Sequence, residues 1–535
     1  MWIRIKYDRF TTDFLNFKED KVVMLLLFPP VAKPCEPPAG VALLSAALKD
    51  HGLPCTVYDA SVEGLMYLIQ SDHDACDSWS LRAKKNRDLI LSDLKTPGLY
   101  TNVDRYHQRV YDLNRLVATA VDQTRFKISL SDYSDNKLSS VDSRDLLKSA
   151  AFYEENPFYP FFEEKIRPLI LASDAQYVGI SLCYLNQALV SFALAGWIKQ
   201  NFKEKKLVMG GGLVSSWMSR PGFGGGRDNP FSDLIDVMIK GEGEQPLLAL
   251  LGVPDTLQKH YVPDYGFAKN HAYLAPGTIL PFRASIGCYW RKCRFCPEKA
   301  ETRPYSTQRA AKVLADLKKM TQKYSPDYVH FIDNAVTPAF LRTLSETQLG
   351  FKWYGFVRFE REFLSLDFCH ALKKSGCEML KLGLESGDQN VLDQMNKGTD
   401  LVMVSTTLKN LKQAGILTYV YLLFGTSFED ETAARKTLDY IEGHKEDIDY
   451  LNLAVFNLPK FSEDADELDT YEFYHGDLSL YLNFVHPTGW EQRNVKNFLN
   501  KVFKKQLAIG SEFRKNPAFF SSNHAMLFNC LEDVK

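Results

Sequence analysis

The sequence lacks an excess of one charge, a long apolar run and a dense set of cysteines. Its formal net charge is −2 over 535 residues, which gives no basic surface for nucleic acid or acidic lipid. No apolar run approaches the ~20 residues that a membrane helix needs, and the first residues are too charged for a signal peptide. Ten cysteines in a chain of this length do not form a disulfide framework. We therefore expect a cytoplasmic protein with reduced thiols that binds neither membrane nor nucleic acid.

The length predicts two or three domains, and the apolar content of 45% is typical of a globular protein. From about residue 20 to 250, strand and helix patterns alternate, which indicates an α/β domain with a Rossmann-like parallel sheet. A mostly helical insertion interrupts this domain at about 65–170. A second strand–helix series over 280–455 predicts a partial (β/α)6 barrel, in which a strand over 281–286 leads into a cysteine loop. Residues 456–535 lose this rhythm and are expected to form a C-terminal cap.

Three cysteines, Cys288, Cys293 and Cys296, stand in the spacing C-x4-C-x2-C. Three close thiolates can hold a [4Fe–4S] cluster, which needs four ligands, and leave one iron open. A structural zinc site is one alternative, but it usually takes four protein ligands, and the nearest further Cys or His is His271. Incidental clustering of free thiols is the other. The spacing favours the iron–sulfur cluster.

The cysteine triplet and its surroundings resemble the radical S-adenosylmethionine (radical SAM) superfamily. That family's usual spacing is C-x3-C-x2-C, so the first spacer is one residue longer in this chain. The resemblance implies that Cys288, Cys293 and Cys296 hold a [4Fe–4S] cluster whose open iron binds the amino and carboxylate groups of S-adenosylmethionine. Electron transfer would then cleave S-adenosylmethionine and give a 5′-deoxyadenosyl radical.

The resemblance extends to the ends of the predicted barrel strands. It implies that Glu385 and Ser386 approach S-adenosylmethionine, that Arg358 pairs with its carboxylate, that Asp333 lies near its amino group and that Gly425 approaches its adenine. A carboxylate suits ribose hydroxyls because it accepts several hydrogen bonds, and a guanidinium matches a carboxylate in a bidentate pair. A salt bridge at the barrel mouth is the alternative for Glu385, and a surface ion pair is the alternative for Arg358.

The N-terminal series resembles the cobalamin-binding domain that precedes many radical SAM barrels. That family carries Asp-x-His-x-x-Gly, Ser-x-Leu and Gly-Gly at strand ends that face one crevice. The corresponding residues are Asp59, Ser61, Gly64, Ser181, Gly210 and Gly211. Ser61 stands where the family has a histidine that ligates cobalt, so the resemblance implies cobalamin without a protein ligand on its lower face. The alternatives are a helix cap at Asp59, a generic turn at Gly210, and a domain that keeps the fold without cobalamin.

The resemblance as a whole implies an enzyme with a [4Fe–4S] cluster, S-adenosylmethionine and cobalamin. The expected reaction is methyl transfer to an unactivated carbon, with the cofactors supplying the chemistry and no side chain assigned a catalytic role. Radical cyclisation or rearrangement without net methylation is one alternative, and a non-catalytic iron–sulfur or zinc binding module is another. We expect an electron donor such as flavodoxin or ferredoxin as a partner. The sequence leaves the substrate open between a small molecule and a peptide.

Overall fold

The computed structural model describes residues 23–72, 77–220, 223, 229–253, 260–508 and 521–529. The predicted domain limits at residues 20 and 535 lie outside this part of the chain. The fold class is α/β with two parallel sheets, which confirms the prediction. None of the helices in the described ranges combines the length and the apolar character that crossing a bilayer requires.

The N-terminal half contains a five-stranded parallel sheet and a separate hairpin. Its strands are β1 (Met24–Leu27), β2 (Cys55–Tyr58), β3 (Phe126–Ile128), β4 (Tyr133–Asp135), β5 (Tyr177–Ser181), β6 (Lys206–Gly210) and β7 (Val237–Met238). The sheet has the order β2-β1-β5-β6-β7, and β3 pairs with β4. The order reverses between β1 and β5, and open α/β sheets bind ligands beyond the carboxyl ends of the strands at such a point.

The helices of this half cover both faces of the sheet and build the insertion. They are α1 (Ala39–Asp50), α2 (Ala60–Gln70), α3 (Ser78–Lys85), α4 (Arg87–Leu94), α5 (Val103–Thr119), α6 (Ser143–Ala151), α7 (Tyr159–Phe161), α8 (Arg167–Ala172), α9 (Ala188–Asn201), α10 (Gly212–Met218) and α11 (Glu244–Leu250). Helix α5 buries Tyr106, Val110, Leu113 and Val117, which recur at helical spacing on one face. Between residues 65 and 170 most elements are helices, and the β3–β4 hairpin lies among them.

The second half is built on a six-stranded parallel sheet and a separate two-stranded pair. The strands of the sheet are β8 (Ile279–Phe282), β11 (Tyr328–Phe331), β12 (Lys352–Val357), β13 (Cys377–Glu385), β14 (Leu417–Phe424) and β15 (Tyr450–Val455), and the pair consists of β9 (Ser285–Ile286) and β10 (Ser306–Thr307). The sheet runs β15-β14-β13-β12-β11-β8, so neighbouring strands follow one another in sequence. The carboxyl ends of all six strands therefore meet on one side, where parallel βα folds build their sites.

Helices connect these strands and shield the outer face of the sheet. They are α12 (Pro297–Ala300), α13 (Ala310–Tyr324), α14 (Pro338–Ser345), α15 (Leu366–Lys374), α16 (Gln389–Gln394), α17 (Leu401–Gln413) and α18 (Glu431–Gly443). One predicted strand is wrong in extent. The strand expected over 281–286 ends at Phe282, and β9 leaves the sheet to pair antiparallel with β10, because the Asp333 side chain hydrogen-bonds the backbone at Ala284 and Ser285.

The C-terminal segment packs on both halves. Its elements are β16 (Leu458–Pro459), β17 (Thr470–Glu472), β18 (Tyr481–Phe484), α19 (Glu463–Glu467), α20 (Gln492–Phe498), α21 (Lys504–Ala508) and α22 (Ser521–His524). Val495 and Phe498 of α20 enter the core of the second half. His524 of α22 stacks edge-on against Tyr100 and hydrogen-bonds with Tyr106 of the insertion, so the end of the chain ties the two halves together.

Candidate functional site

A cavity of about 960 Å³ lies where the carboxyl ends of the second sheet face the loops after β1 and β5. Both halves line it, and it is large enough to enclose a drug-sized ligand. Of the predicted site residues, it brings together Cys288, Cys293, Cys296, Asp333, Arg358, Glu385 and Ser181. Residues that are far apart in the chain therefore line one cavity. This agrees with the prediction that they follow the carboxyl ends of parallel strands, which meet at one edge of a sheet.

The cysteine loop places all three predicted cluster ligands on the cavity wall. Burial raises the pKa of Cys293 and of Cys296, while Lys397 and Arg358 lower that of Cys293. Within the described residues, no three His, Cys, Asp or Glu side chains converge on a single ion. In a cubane cluster each cysteine binds a different iron, so three separated thiols that face one cavity fit a [4Fe–4S] cluster better than a zinc ion.

Asp333 holds the start of the cysteine loop. Its carboxylate accepts hydrogen bonds from Ser285 N at 2.6 Å, from Ser285 Oγ at 2.6 Å and from Ala284 N at 3.0 Å. Burial raises the pKa of Asp333 although these three donors lower it. Asp333 therefore orders the chain just before Cys288. The sequence predicts Asp333 near the amino group of a ligand and does not predict this structural role.

Arg358 is buried beside the cysteines, where its Nε also forms an ion pair with Glu360 Oε1 at 3.8 Å, and this pair is not at the surface. Its Nη1 lies 3.9 Å from Cys293 Sγ, its Nη2 donates to the carbonyl of Lys397, and its guanidinium stacks 4.4 Å from the centre of the Trp290 ring. Its Nε is buried without a hydrogen-bond partner among the described residues. A buried guanidinium this close to Cys293 fits thiolates, or a further anionic ligand, in this cavity.

Glu385 forms an ion pair with Lys397, a residue that sequence analysis missed. Lys397 Nζ donates to Glu385 Oε1 at 2.7 Å, and both side chains line the cavity. Glu385 has a φ of 70°, which is uncommon for a residue with a side chain and aims it away from the regular strand direction. A carboxylate and an ammonium side by side can meet the hydroxyls of a ribose or the two charges of an amino acid.

Two further residues predicted at the barrel mouth do not line the cavity. Ser386 is fully buried, with its hydroxyl near Thr437 Oγ1 at 3.2 Å and accepting from Asp388 N at 3.1 Å. Gly425 N donates to Glu429 Oε2 at 2.5 Å, and burial raises the pKa of Glu429 to about 7. Both residues shape turns beneath the site, while their roles toward a ligand stay predictions.

A second cavity, of about 550 Å³, lies beyond the carboxyl ends of β5, β6 and β7. Ser181, Gly210 and Gly211 line it, as does Gly241, where a side chain would meet nothing within 4 Å. Gly211 has a φ of 114°, and a Cβ there would lie 2.4 Å from the Leu182 carbonyl, so only glycine fits. A glycine-walled cradle of this kind admits a bulky ligand against the backbone, which fits part of a cobalamin.

The remaining predicted cobalamin residues lie outside both cavities. Asp59 follows β2 at the edge of the sheet and caps α2, with its carboxylate accepting from Ser61 N at 3.1 Å and from Tyr273 Oη at 2.8 Å. Ser61 Oγ accepts from Ala32 N at 2.7 Å, which leaves this buried hydroxyl turned inward. A Cβ on Gly64 would lie 3.0 Å from the Pro30 ring. These three residues stabilise the connection after β2.

Sequence analysis also missed a buried polar chain in the larger cavity, formed by Glu36, His330 and Lys381. His330 Nδ1 lies 2.9 Å from Glu36 Oε1, and Lys381 Nζ lies 2.9 Å from His330 Nε2. His330 in a short apolar strand and Lys381 between Leu380 and Leu382 were the available signal, since such side chains are rarely buried without a partner.

The chain is similar to several known proteins, although no family model matches it. It is 25% identical over 253 residues to the bacteriochlorophyllide d C-12(1)-methyltransferase of Chlorobaculum tepidum, covering 42% of this chain and 54% of the relative. It is 24% identical over 297 residues to the anaerobic magnesium-protoporphyrin IX monomethyl ester cyclase of Rubrivivax gelatinosus, covering 47% and 52%. The matched regions thus span about half the length of these curated relatives.

Among solved structures, the chain is similar to the apo form of the cobalamin-dependent S-adenosylmethionine radical enzyme OxsB. The TM-score is 0.53 at 11% identity, and the match covers 96% of this chain and 72% of that one. At this identity the likeness concerns the fold, and it spans both sheets. The resemblance found in the sequence is therefore confirmed at the level of the fold, which the chain shares with this cobalamin-dependent S-adenosylmethionine radical enzyme.

Proposed function

We propose that this chain is a cobalamin-dependent radical SAM methyltransferase that acts on an unactivated carbon. The observation that carries the proposal is the single cavity in which three thiols, a buried arginine and the Glu385–Lys397 pair face the loops of the N-terminal sheet. When bound, the cluster and S-adenosylmethionine supply a 5′-deoxyadenosyl radical, and cobalamin supplies the methyl group. Every other task falls to the protein, which binds, orients and excludes water.

Each group on the cavity wall has a task in this proposal. Cys288, Cys293 and Cys296 hold the cluster, and Arg358 compensates the negative charge of its thiolates from 3.9 Å. The Glu385–Lys397 pair receives the polar end of S-adenosylmethionine. Phe295, with Lys397 Nζ 5.5 Å from its ring centre, covers this pair and keeps water from it.

The smaller cavity holds part of the cobalamin in this proposal. Its glycines let the backbone approach the ligand, and Ser181 and Cys183 line both cavities, so the two spaces adjoin. Ser61 is turned inward onto Ala32 and lies outside this cavity, so it would not supply a ligand to cobalamin. The described residues that line the smaller cavity include no histidine, so the protein would bind cobalamin without a histidine ligand.

An electron donor docks at the cysteine loop in this proposal. Arg291 and Lys292 are exposed there, which suits an acidic flavodoxin or ferredoxin. A cytoplasmic location would keep the eight free cysteines of the described residues reduced. The substrate class within small molecules and peptides is taken up in the next subsection.

A radical cyclisation without net methylation is the second candidate, and the similarity to a cyclase supports it. The two reactions differ in what they consume. Methyl transfer through cobalamin converts a second S-adenosylmethionine to S-adenosylhomocysteine, whereas cyclisation does not.

The test is an anaerobic assay of reconstituted protein with reductant, with and without cobalamin. We expect 5′-deoxyadenosine in both cases and S-adenosylhomocysteine only with cobalamin. Cys293→Ala should abolish both products, while Cys55→Ala, a matched change in the first half of the chain, should abolish neither. Formation of 5′-deoxyadenosine alone, whatever the cobalamin content, would refute methyl transfer and favour cyclisation.

A further inference from the structure

The polar chain of Glu36, His330 and Lys381 crosses the boundary between the two halves of the protein. Glu36 belongs to the loop after β1, His330 to β11 and Lys381 to β13, and all three line the larger cavity. Lys381 is only 2% exposed. A lysine buried between Leu380 and Leu382 is costly unless it has partners, so its surroundings define what it can bind.

The hydrogen bonds fix the direction of this chain. Glu36, when ionised, only accepts, so His330 must donate from Nδ1, which lies 2.9 and 3.0 Å from the two Glu36 oxygens. The other ring nitrogen, Nε2, then accepts from Lys381 Nζ at 2.9 Å. Tyr354 Oη and Asn523 Nδ2 also donate to Glu36, at 3.3 and 3.0 Å. Glu36 is thus fully occupied, and the chain ends in the Lys381 ammonium.

The Lys381 ammonium has donors to spare. An ammonium carries three N–H groups, and His330 takes one. Among the described residues, Nζ has no other hydrogen-bond partner, and the rings of Tyr354 and Phe356 lie at 5.0 and 5.2 Å from it. These rings stabilise a cation by its charge but accept no conventional hydrogen bond. Two N–H groups of this buried ammonium can therefore donate to oxygen atoms of a ligand in the cavity.

We propose that Lys381 binds a carboxylate of the substrate and that the enzyme acts on a carboxylic acid. This rests on the proposed function, because it assigns the substrate end of the same cavity. An ammonium with unused N–H groups pairs with a carboxylate oxygen through a charge-assisted hydrogen bond. Lys381 stands four residues before Glu385 on β13, and the strand register shifts between Gly383 and Glu385. Both side chains line the larger cavity, so a carboxylate at Lys381 would share this cavity with S-adenosylmethionine held at Glu385.

The charges around Lys381 favour a monoanion over a phosphate dianion. Those that face it are Glu36, Lys33 and Cys35 from the loop after β1, His330 from β11 and Tyr354 from β12. Burial lowers the pKa of His330, so its ring is neutral near pH 7. Burial alone would raise the pKa of Glu36, but His330 and Lys381 lower it, so Glu36 is ionised. An ionised Glu36 one ring away from the ligand repels a second negative charge.

Binding should depend on pH. Burial lowers the pKa of Lys381 to about 7, against the opposing influence of Glu36. The ammonium form binds the carboxylate, so affinity should be high below pH 7 and fall as the pH rises through about 7. A neutral ligand of the same shape should show no such fall, since it gains little from the charge.

The experiment uses three fluorinated probes of the full-length reconstituted protein, observed by fluorine NMR at about pH 6.5. They are para-fluorophenylacetate, its neutral amide para-fluorophenylacetamide, and para-fluorophenyl phosphate. We expect the carboxylate to bind about 10-fold more tightly than the amide, as a charge-assisted hydrogen bond implies. Lys381→Met should remove this preference, whereas Lys33→Met, which removes a charge from the same cavity wall, should keep most of it.

Three results would overturn the proposal: equal affinity for carboxylate and amide, tighter binding of the phosphate, or a preference that survives in Lys381→Met. If Lys381→Met does not fold, the wild-type pH profile decides, because a preference that is constant from pH 6 to 8.5 contradicts the proposal as well. Iron content and 5′-deoxyadenosine formation are measured on the same wild-type samples. Their absence would refute the proposed function, while the probe affinities would still test the carboxylate site.

Discussion

Replacement of Asp333 by alanine should loosen the cysteine loop. In the structure, Ser285 N and Ser285 Oγ are buried and both donate to this carboxylate at 2.6 Å. Each buried donor left without a partner costs about 1–2 kcal/mol, while the half-buried Ala284 amide can turn to water. Burial raises the pKa of Asp333, which means that burying the charged carboxylate costs free energy of folding. Alanine removes this cost, which offsets part of the loss. The net loss of local stability should be about 2 kcal/mol.

Hydrogen exchange followed by mass spectrometry measures this loss at the peptide that begins at Ala284. A local loss of about 2 kcal/mol corresponds to roughly 30-fold faster exchange. Iron incorporation should fall with it, because Cys288 follows the released segment. Asp333→Asn keeps one acceptor oxygen, so its exchange rate and iron content should lie between those of the wild-type protein and of Asp333→Ala. Unchanged exchange in Asp333→Ala, together with weaker S-adenosylmethionine binding, would show that Asp333 contacts the ligand and does not order the loop.

Three further changes test other parts of the site. Glu385→Gln should weaken S-adenosylmethionine binding about 10-fold by calorimetry, because Lys397 loses its charged partner at 2.7 Å; unchanged affinity would remove this pair from the site. Gly398→Ala should displace Trp290 and lower iron incorporation, since the new Cβ would lie 2.1 Å from the indole at a φ of 66°; full iron loading would contradict this. Asp59 has a pKa raised by burial from 3.8 to about 6, so the free energy of unfolding should fall by up to about 3 kcal/mol as the pH rises through that window. Asp59→Asn should flatten this slope in urea titrations, and a slope unchanged by the substitution would contradict the buried cap.

The cysteine loop and the two sheets could be predicted because their signals are local. Short apolar runs that end in glycine or polar residues mark parallel strands, and thiol spacing marks the cluster loop. The early end of β8 could not be predicted, because Phe282, Ala284 and Ile286 keep the alternation of apolar residues that is typical of a strand. The departure comes from Asp333, a side chain on a distant part of the chain.

The assignment around Asp59 shows what spacing cannot decide. Asp59 follows a strand as predicted, but that strand is β2 at the edge of the sheet, away from the crevice between β1 and β5. Strand order depends on tertiary packing, so a motif read along the chain does not reveal which strand end faces the ligand.

The pairing of Glu36 with His330 could not be predicted from the sequence either. The two residues are separated by 294 positions and come from different halves of the protein. From the sequence alone, Glu36 would be predicted as an exposed charge and His330 as a core histidine. Their contact in the structure fixes the His330 ring, and the ring in turn positions Lys381.

The most direct test of the central claim is electron paramagnetic resonance of the anaerobically reconstituted, reduced protein before and after addition of S-adenosylmethionine. With Cys288, Cys293 and Cys296 as the only protein ligands, one iron stays open. We predict about four irons per chain and a reduced-cluster signal that changes when S-adenosylmethionine is added, with both lost in Cys293→Ala. Stoichiometric zinc without iron, or a cluster signal that S-adenosylmethionine leaves unchanged, would contradict the account.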